Sequence, residues 1–389
     1  MHGGSHGGER IRVLFVGAHL GKGGGLALQS FQLFLALQSL INAQYLCLGS
    51  PGIHSSLTEQ PGVMVAGDLE FPKGVAILRD ALREVRDDYD LFQIIDPYYG
   101  LPAAFLARVS PRVVNLGTDP RAEIGWRFGR AAGALTRMGM RPLLSEGVIV
   151  VNSQTLAERF RSRHPRVIRN GVDVRKFERL PSKTEARRSR GLPEARTILV
   201  FVGKVIPVKR LEWILEVVRR TPGALAVVVG GYTEPFYRDA YYRRLQAKYR
   251  DVLDRVIFTG EVLWPEVAEY LAAADVFLFP SRFEGLPNAV MEAMASGLPV
   301  VASDIPPHHE LIQHGRTGFL ASDPESMADH VRELIGDPRL RSEIGESGRR
   351  FVQDHLTADL CTKAYLDLYQ SVVNGKGTPA PTLHTSLDL

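Results

Sequence analysis

Cysteine is nearly absent: Cys47 and Cys361 are the only two in 389 residues. Their separation matches no metal-ligand or redox spacing, which argues against a disulfide framework and points to a reducing, cytoplasmic compartment. Long apolar runs are missing too. The most apolar long segment, 31–48, is interrupted by Gln32, Gln38, Ser39, Asn42 and Gln44 and cannot be an uninterrupted membrane span. Residues 1–10 are His/Gly-rich and polar, a tag-like or disordered start rather than a signal peptide, and 375–389 reads as a disordered tail. Net charge is only +4, yet 121–179 carries 13 Lys/Arg against 5 Asp/Glu. That surplus suits anionic lipid headgroups or a phosphorylated acceptor, and equally an ordinary solvated basic face. Nucleic acid is set aside, because no recognised binding module accompanies the charge.

What is present is alternation. Short apolar runs near 11–16, 43–48, 91–95, 112–116 and 148–151 alternate with helical stretches such as 26–40, 75–88 and 101–109. After a Pro/Lys/Arg-rich linker, 179–194, the pattern restarts with strands near 197–202, 225–231, 257–262 and 275–279. Helical stretches from about 324 to 351 and from 358 to 373 close the chain. Strand and helix alternating at this spacing predict an α/β architecture with parallel sheets covered on both faces. The chain is long enough for two domains, each with its own core.

The opening strand is followed by the glycine loop Gly17–Gly25 and a helix, the order of a phosphate-binding unit. Both standard fingerprints fail. Leu26 stands where the dinucleotide motif needs its third glycine, and Gly23 where the Walker pattern needs Ser or Thr after Lys22. Asp88-Tyr89-Asp90 is formally an Asp-x-Asp, but it ends a charged run and reads as solvated surface.

The densest chemistry lies between Phe279 and Pro299. A strand end leads into a loop holding Glu284, then into a helix that Pro287 can open at its first turn. Glu292 lies five residues past Pro287, roughly 7.5 Å further along the axis. Between the two acids the helix N-terminus offers N–H groups and the positive end of a dipole, a layout suited to a ligand with phosphate in the middle and hydroxyls at both ends. A nucleotide-sugar has that layout. An acid favouring its helix end and a second acid on a solvated face would leave the same pattern. Upstream, Lys204 and Lys209 flank the mouth of a strand-to-helix crossover, where they can neutralise a diphosphate.

The Glu284-x7-Glu292 spacing, the Glu284-Gly-Leu-Pro loop, the run Glu292–Ser303, and the landmarks at 148–153, 168–177, 306–310 and 317–320 resemble glycosyltransferase family 4 over roughly 11–373. The resemblance implies a GT-B fold, two Rossmann-like domains facing across a cleft. It implies a retaining, metal-independent transfer of sugar from a nucleotide-diphosphate donor, UDP-sugar favoured, to a hydroxyl acceptor: a glycan, a glycolipid or a small molecule. No cofactor is expected beyond the donor as co-substrate. The implied roles are Glu292 on the ribose diol, Glu284 with the Gly285 and Leu286 amides on the donor sugar, and Lys204 and Lys209 on the leaving diphosphate. Gly24 and Gly25 would abut the donor from the N-terminal domain. Gly203, Gly230 and Val262 would line the nucleotide pocket, with Pro287 heading the helix. Lys204 replaces the family's Arg, keeping charge while losing the bidentate fork, and Arg210 stands where the family has Gly. On the acceptor side lie His19, Thr118 and Asp119, where the family commonly places a histidine. Adjacent His308 and His309 point apart in any regular element and make a metal site unfavourable.

The implied domains are 11–178, a linker 179–194, 195–353, and a helix 354–374 returning to the first domain. The stretch 121–144 interleaves Trp126, Phe128, Leu135, Met138 and Met140 with arginines. It fits a bilayer interface at the inner face of the cell membrane, or an ordinary helix packing on the sheet while its arginines reach water. Two other classes share the architecture: a nucleotide-sugar epimerase, and a non-catalytic scaffold, against which both glutamates and both lysines speak.

Overall fold

The computed structural model describes residues 10–18, 25–49, 59–68, 72–231 and 235–375. The chain forms two compact units, one taking residues up to Gly171 together with the segment from Asp359, the other Val172–Ala358.

In the first unit seven parallel strands, β1 (Arg12–Val16), β2 (Asn42–Gly49), β3 (Val63–Asp68), β4 (Leu91–Ile94), β5 (Arg112–Leu116), β6 (Val148–Val151) and β7 (Arg166–Val167), lie in the order β3-β2-β1-β4-β5-β6-β7. β4, β5 and most of β1 and β6 are buried along their length, as a sheet covered on both faces requires. One face packs Phe15 against Phe34 and Tyr45, with ring centroids 5.7 and 6.0 Å away. Onto this face the C-terminal helix, Ala358–Val373, inserts Tyr365, Leu368 and Tyr369. Its hydroxyls satisfy buried amides: Asn115 Nδ2 donates to Tyr365 Oη at 3.0 Å, and Tyr369 Oη donates to Gln93 Oε1 at 2.9 Å. Asp90 is no loose surface acid, since its carboxylate takes the Arg12 amide and guanidinium, each at 2.8 Å.

The second unit holds β8 (Thr197–Val202), β9 (Ala224–Val229), β10 (Val256–Gly260), β11 (Val276–Phe279), β12 (Val300–Ser303) and β13 (Phe319–Ala321), all parallel, in the order β10-β9-β8-β11-β12-β13. The inner strand β9, Ala-Leu-Ala-Val-Val-Val, is buried throughout, whereas β10 at the sheet's edge is not. The helix Leu211–Arg220 turns Leu211, Ile214, Leu215, Val217 and Val218 inward at helical spacing.

Three boundaries differ from the sequence reading. The first unit ends at Gly171 rather than 178, because Val172 donates to Leu356 O at 2.8 Å and Phe177 packs on Trp264 at 5.8 Å, both within the second unit. The supposed linker 179–194 contains a helix, Lys183–Ser189, closed by a capping box between Ser182 and Glu185. Arg187 anchors it, 6% exposed, its guanidinium 2.6 Å from Asp275, which lies 88 residues further along the chain. A basic run looks solvated until its distant acid is known. The helical stretch from 324 breaks into Pro324–Gly336 and Pro338–His355, since Pro338 cannot continue a helix and Asp337 caps the second one by accepting from the Arg339 and Leu340 amides.

Candidate active site

In the second sheet β8 is followed on one side by β9 and on the other by β11, so the loops leaving β8 and β11 diverge to opposite faces. This is the switch point at which open α/β sheets leave a crevice at the carboxyl ends of their strands. The two loops are laced together. Arg282 N donates to Val208 O at 2.8 Å, Ser281 Oγ donates to the same carbonyl at 3.4 Å, and Ser303 Oγ holds Ser281 O at 2.5 Å.

At this junction Lys209, ending the 3-10 turn Pro207–Lys209 after β8, donates from Nζ to Glu284 Oε1 at 2.5 Å. The ammonium also lies 4.8 Å over the Phe279 ring. Both side chains are largely buried, so the pair is poorly screened. Lys204 is partly buried earlier in the same loop. Arg210 adopts φ 48, ψ 50, the left-handed region that glycine occupies without steric cost.

Gly285 and Leu286 are buried just past Glu284, and among the described residues their amides meet no acceptor. Pro287 is extended, at φ −77 and ψ 111, and caps the helix Asn288–Ala295 from outside rather than forming its first turn. Glu292 lies on that helix, partly buried. Burial pushes its carboxyl up to about 7, against the pull of a hydrogen bond from Trp264 and the charge of Lys176. Trp264 opens the helix Trp264–Ala273 after β10, and Lys176 Nζ lies 4.8 Å over its ring. Neither residue was singled out from sequence. Lys176 is within the 168–177 landmark, but its relation to Glu292 is tertiary.

Glycines flatten the floor beside these loops. Gly230 has φ 137, and a Cβ there would fall 2.1 Å from Gly203 O. Gly230 N donates to Gly260 O at 3.1 Å, so the ends of β8, β9 and β10 meet backbone to backbone. Val262 sits partly buried in the loop before Trp264.

His308 is fully buried, its ring edge-on to Phe279 at 5.7 Å. Burial pushes it down to about 4, so it is neutral at pH 7, with Nδ1–H donating to Ser303 O at 2.6 Å. His309 instead meets Asp304 at 2.5 Å, so the two histidines do not converge.

The remaining expected positions lie in the first unit. His19 and Gly24 are outside the described residues, and Gly25 begins the helix Gly25–Leu37. Asp119 was expected on the acceptor side, but its carboxylate is committed to the fold. It caps the helix Pro120–Phe128 by accepting from Arg121 N at 3.1 Å, and it pairs with Arg121 at 2.8 Å and Arg159 at 3.5 Å. Thr118 Oγ1 donates to Glu123 Oε2 at 3.4 Å, and Tyr98 Oη donates to the same oxygen at 3.2 Å. Glu123, passed over in the sequence as one acid in a basic run, is the half-buried carboxylate of this neighbourhood.

Two parallel sheets with crossover helices, the second with its switch point between β8 and β11, are the architecture of a GT-B protein. HepE of Anabaena, solved with UDP and glucose, superposes with a TM-score of 0.79 over 93% of this chain and 100% of that one, at 21% identity. Sucrose-phosphate synthase of Thermosynechococcus elongatus superposes with 0.81 over 94% and 100%, at 19% identity. The model of the family described as glycosyl transferases group 1 matches residues 196–337. A GDP-mannose-dependent alpha-mannosyltransferase of Mycobacterium tuberculosis is 31% identical over 325 residues, 80% of each chain. Sulfoquinovosyl transferase of Arabidopsis thaliana is 28% identical over 364 residues, 89% of this chain, which spans 61% of that relative's length. The chain belongs to the group 1 glycosyltransferases.

Proposed function

We propose that the chain moves a sugar from a nucleoside-diphosphate donor to a hydroxyl acceptor with retention of configuration and without a metal. The observation that carries this reading is the Lys209–Glu284 pair at the switch point, directly followed by the buried Gly285 and Leu286, whose amides meet no acceptor among the described residues. Glu284 and the two amides bind hydroxyls of the donor sugar. Glu292 accepts from the ribose diol. Lys204 and Lys209 take the charge that develops on the diphosphate as the bond from the anomeric carbon to its phosphate oxygen breaks. In the resting protein Lys209 is paired with Glu284, so donor binding redirects the ammonium toward phosphate and frees the carboxylate for the sugar. The acceptor oxygen then bonds to the anomeric carbon on the face the diphosphate leaves, and its proton passes to the departing phosphate oxygen. Uridine is the favoured base, in line with UDP in the HepE structure. The GDP-mannose relatives make guanosine the other arm of the test.

The test is turnover of a panel of UDP-, GDP- and ADP-sugars, following released nucleotide and sugar with and without EDTA. EDTA-insensitive release from one donor is expected, reduced at least about 100-fold in Glu284→Ala. Isomerised donor without nucleotide release, or no binding of any nucleotide, counts against the reading.

A further inference from the structure

We infer that the helix Arg130–Leu143 is a docking element that lies along an anionic lipid surface. It follows the helix Pro120–Phe128 at Gly129, whose φ of 93 breaks the two apart. The helices cross backbone to backbone: a Cβ on Gly133 would fall 2.9 Å from Gly125 Cα and 2.8 Å from Arg121 O. This contact, with Met140 entering the core, fixes which face is buried.

At about 100° per residue, Leu135 and Met138 then point to the opposite side, within about 60° of one another. They are 68% and 72% exposed, and Phe128 at the junction is 64% exposed. Arg130, Arg137 and Arg141 fall within an arc of about 40° that borders this apolar stripe. No Asp or Glu occurs in 130–143, and among the described residues these three arginines form no ion pair. Elsewhere in the basic stretch part of the charge is consumed internally: Arg121 and Arg159 bind Asp119, and Arg175 binds Asp173.

An apolar stripe beside a basic stripe matches the two layers of a membrane interface, with Leu135 and Met138 at acyl depth and guanidiniums among phosphates. A second copy is a poorer occupant, because an isologous contact along this helix would set arginine against arginine with no acid to offset them. With 14 residues the helix lies on the surface rather than across it. The docking does not rest on the transferase reading, but its consequence does: an enzyme held there takes an acceptor hydroxyl presented at an anionic membrane.

The experiment is flotation of the full chain with vesicles of phosphatidylcholine alone, and of phosphatidylcholine mixed with an equal part of phosphatidylglycerol, at low and high salt. Salt-sensitive binding to the mixed vesicles only is expected. Arg130→Gln/Arg137→Gln/Arg141→Gln should weaken it about fivefold per arginine, roughly 100-fold together. Leu135→Asn/Met138→Gln should weaken it at least about tenfold. Donor turnover without vesicles stays unchanged in both variants, which separates loss of docking from loss of the active site. No binding to the mixed vesicles, binding indifferent to both variants, or a dimer dispersed by Leu135→Asn/Met138→Gln overturns the proposal.

Discussion

Glu292 carries a carboxyl that burial lifts from its ordinary 4.5 to about 7. An acid whose pKa is raised by folding favours the protonated native state. Its contribution is therefore present in full below pH 4.5 and lost as pH rises through 7. On the proposed role of Glu292, ribose hydroxyls donate to the ionised form, so ligand binding pulls the proton off. Nucleotide affinity should then climb with pH, by up to about tenfold per unit below 7, and level off above it. Glu292→Gln should bind nucleotide weakly at every pH, with that slope gone. Denaturant titration at pH 5 and pH 8 without nucleotide should show wild type losing stability relative to the variant as pH rises. A wild-type affinity that is flat across pH 5–8 refutes the role. The sequence made Glu292 legible through its spacing from Glu284. Its Trp264 and Lys176 neighbours were not, because they reach the helix from another strand end and from the start of the unit.

At the scale of elements, the site depends on loops that pack without side chains. Gly230 is the sharpest case, with Gly203 O at 2.1 Å from where a Cβ would stand and a φ of 137 that other residues avoid. Gly230→Ala must push the ends of β8 and β9 apart. It is expected to cost about 3 kcal/mol in denaturant unfolding and to lower nucleotide affinity measured by calorimetry. A fully stable variant that binds normally would show that the backbone contact is dispensable. β1, β2, β4 to β6 and β8 to β11 were plain in the sequence, since buried parallel strands are written as runs of Val, Ile, Leu and Phe, whereas β3, β7, β12 and β13, short or set among polar residues and landmarks, were not read as strands. Helix ends were less plain. Asp337-Pro338 and Gly129 each divide what periodicity alone joins, and the helix at Lys183 was hidden in a charged run whose partner, Asp275, is distant.

At the scale of the molecule, the chain returns at its C-terminus to complete the unit it began. Tyr365, Leu368 and Tyr369 are buried in the first unit's core, and two of their hydroxyls pair with Asn115 and Gln93. Ending the chain at Ala358 would open a cavity and leave those amides buried without partners, a loss of several kcal/mol. Hydrogen exchange on the shortened chain should show protection lost from β1, β4, β5 and β6, while β8 to β13 keep theirs. Equal protection in both units would mean the helix adds little.

The sequence by itself determined that the chain is α/β and that it is built twice over, and it singled out the stretch between Lys204 and Glu292 as the candidate site. These follow from local patterns: apolar runs, helical periodicity, and acids and glycines at fixed short spacing. Tertiary structure decided what spacing cannot encode. It paired Lys209 with Glu284, converted Asp119 from a candidate ligand into a helix cap, set Glu123 beside Thr118 and Tyr98, and turned one face of Arg130–Leu143 outward. The reason is physical. A carboxylate's role is set by which cation or amide lies within about 3 Å of it, and that neighbour is supplied by strand order rather than by nearness in the chain.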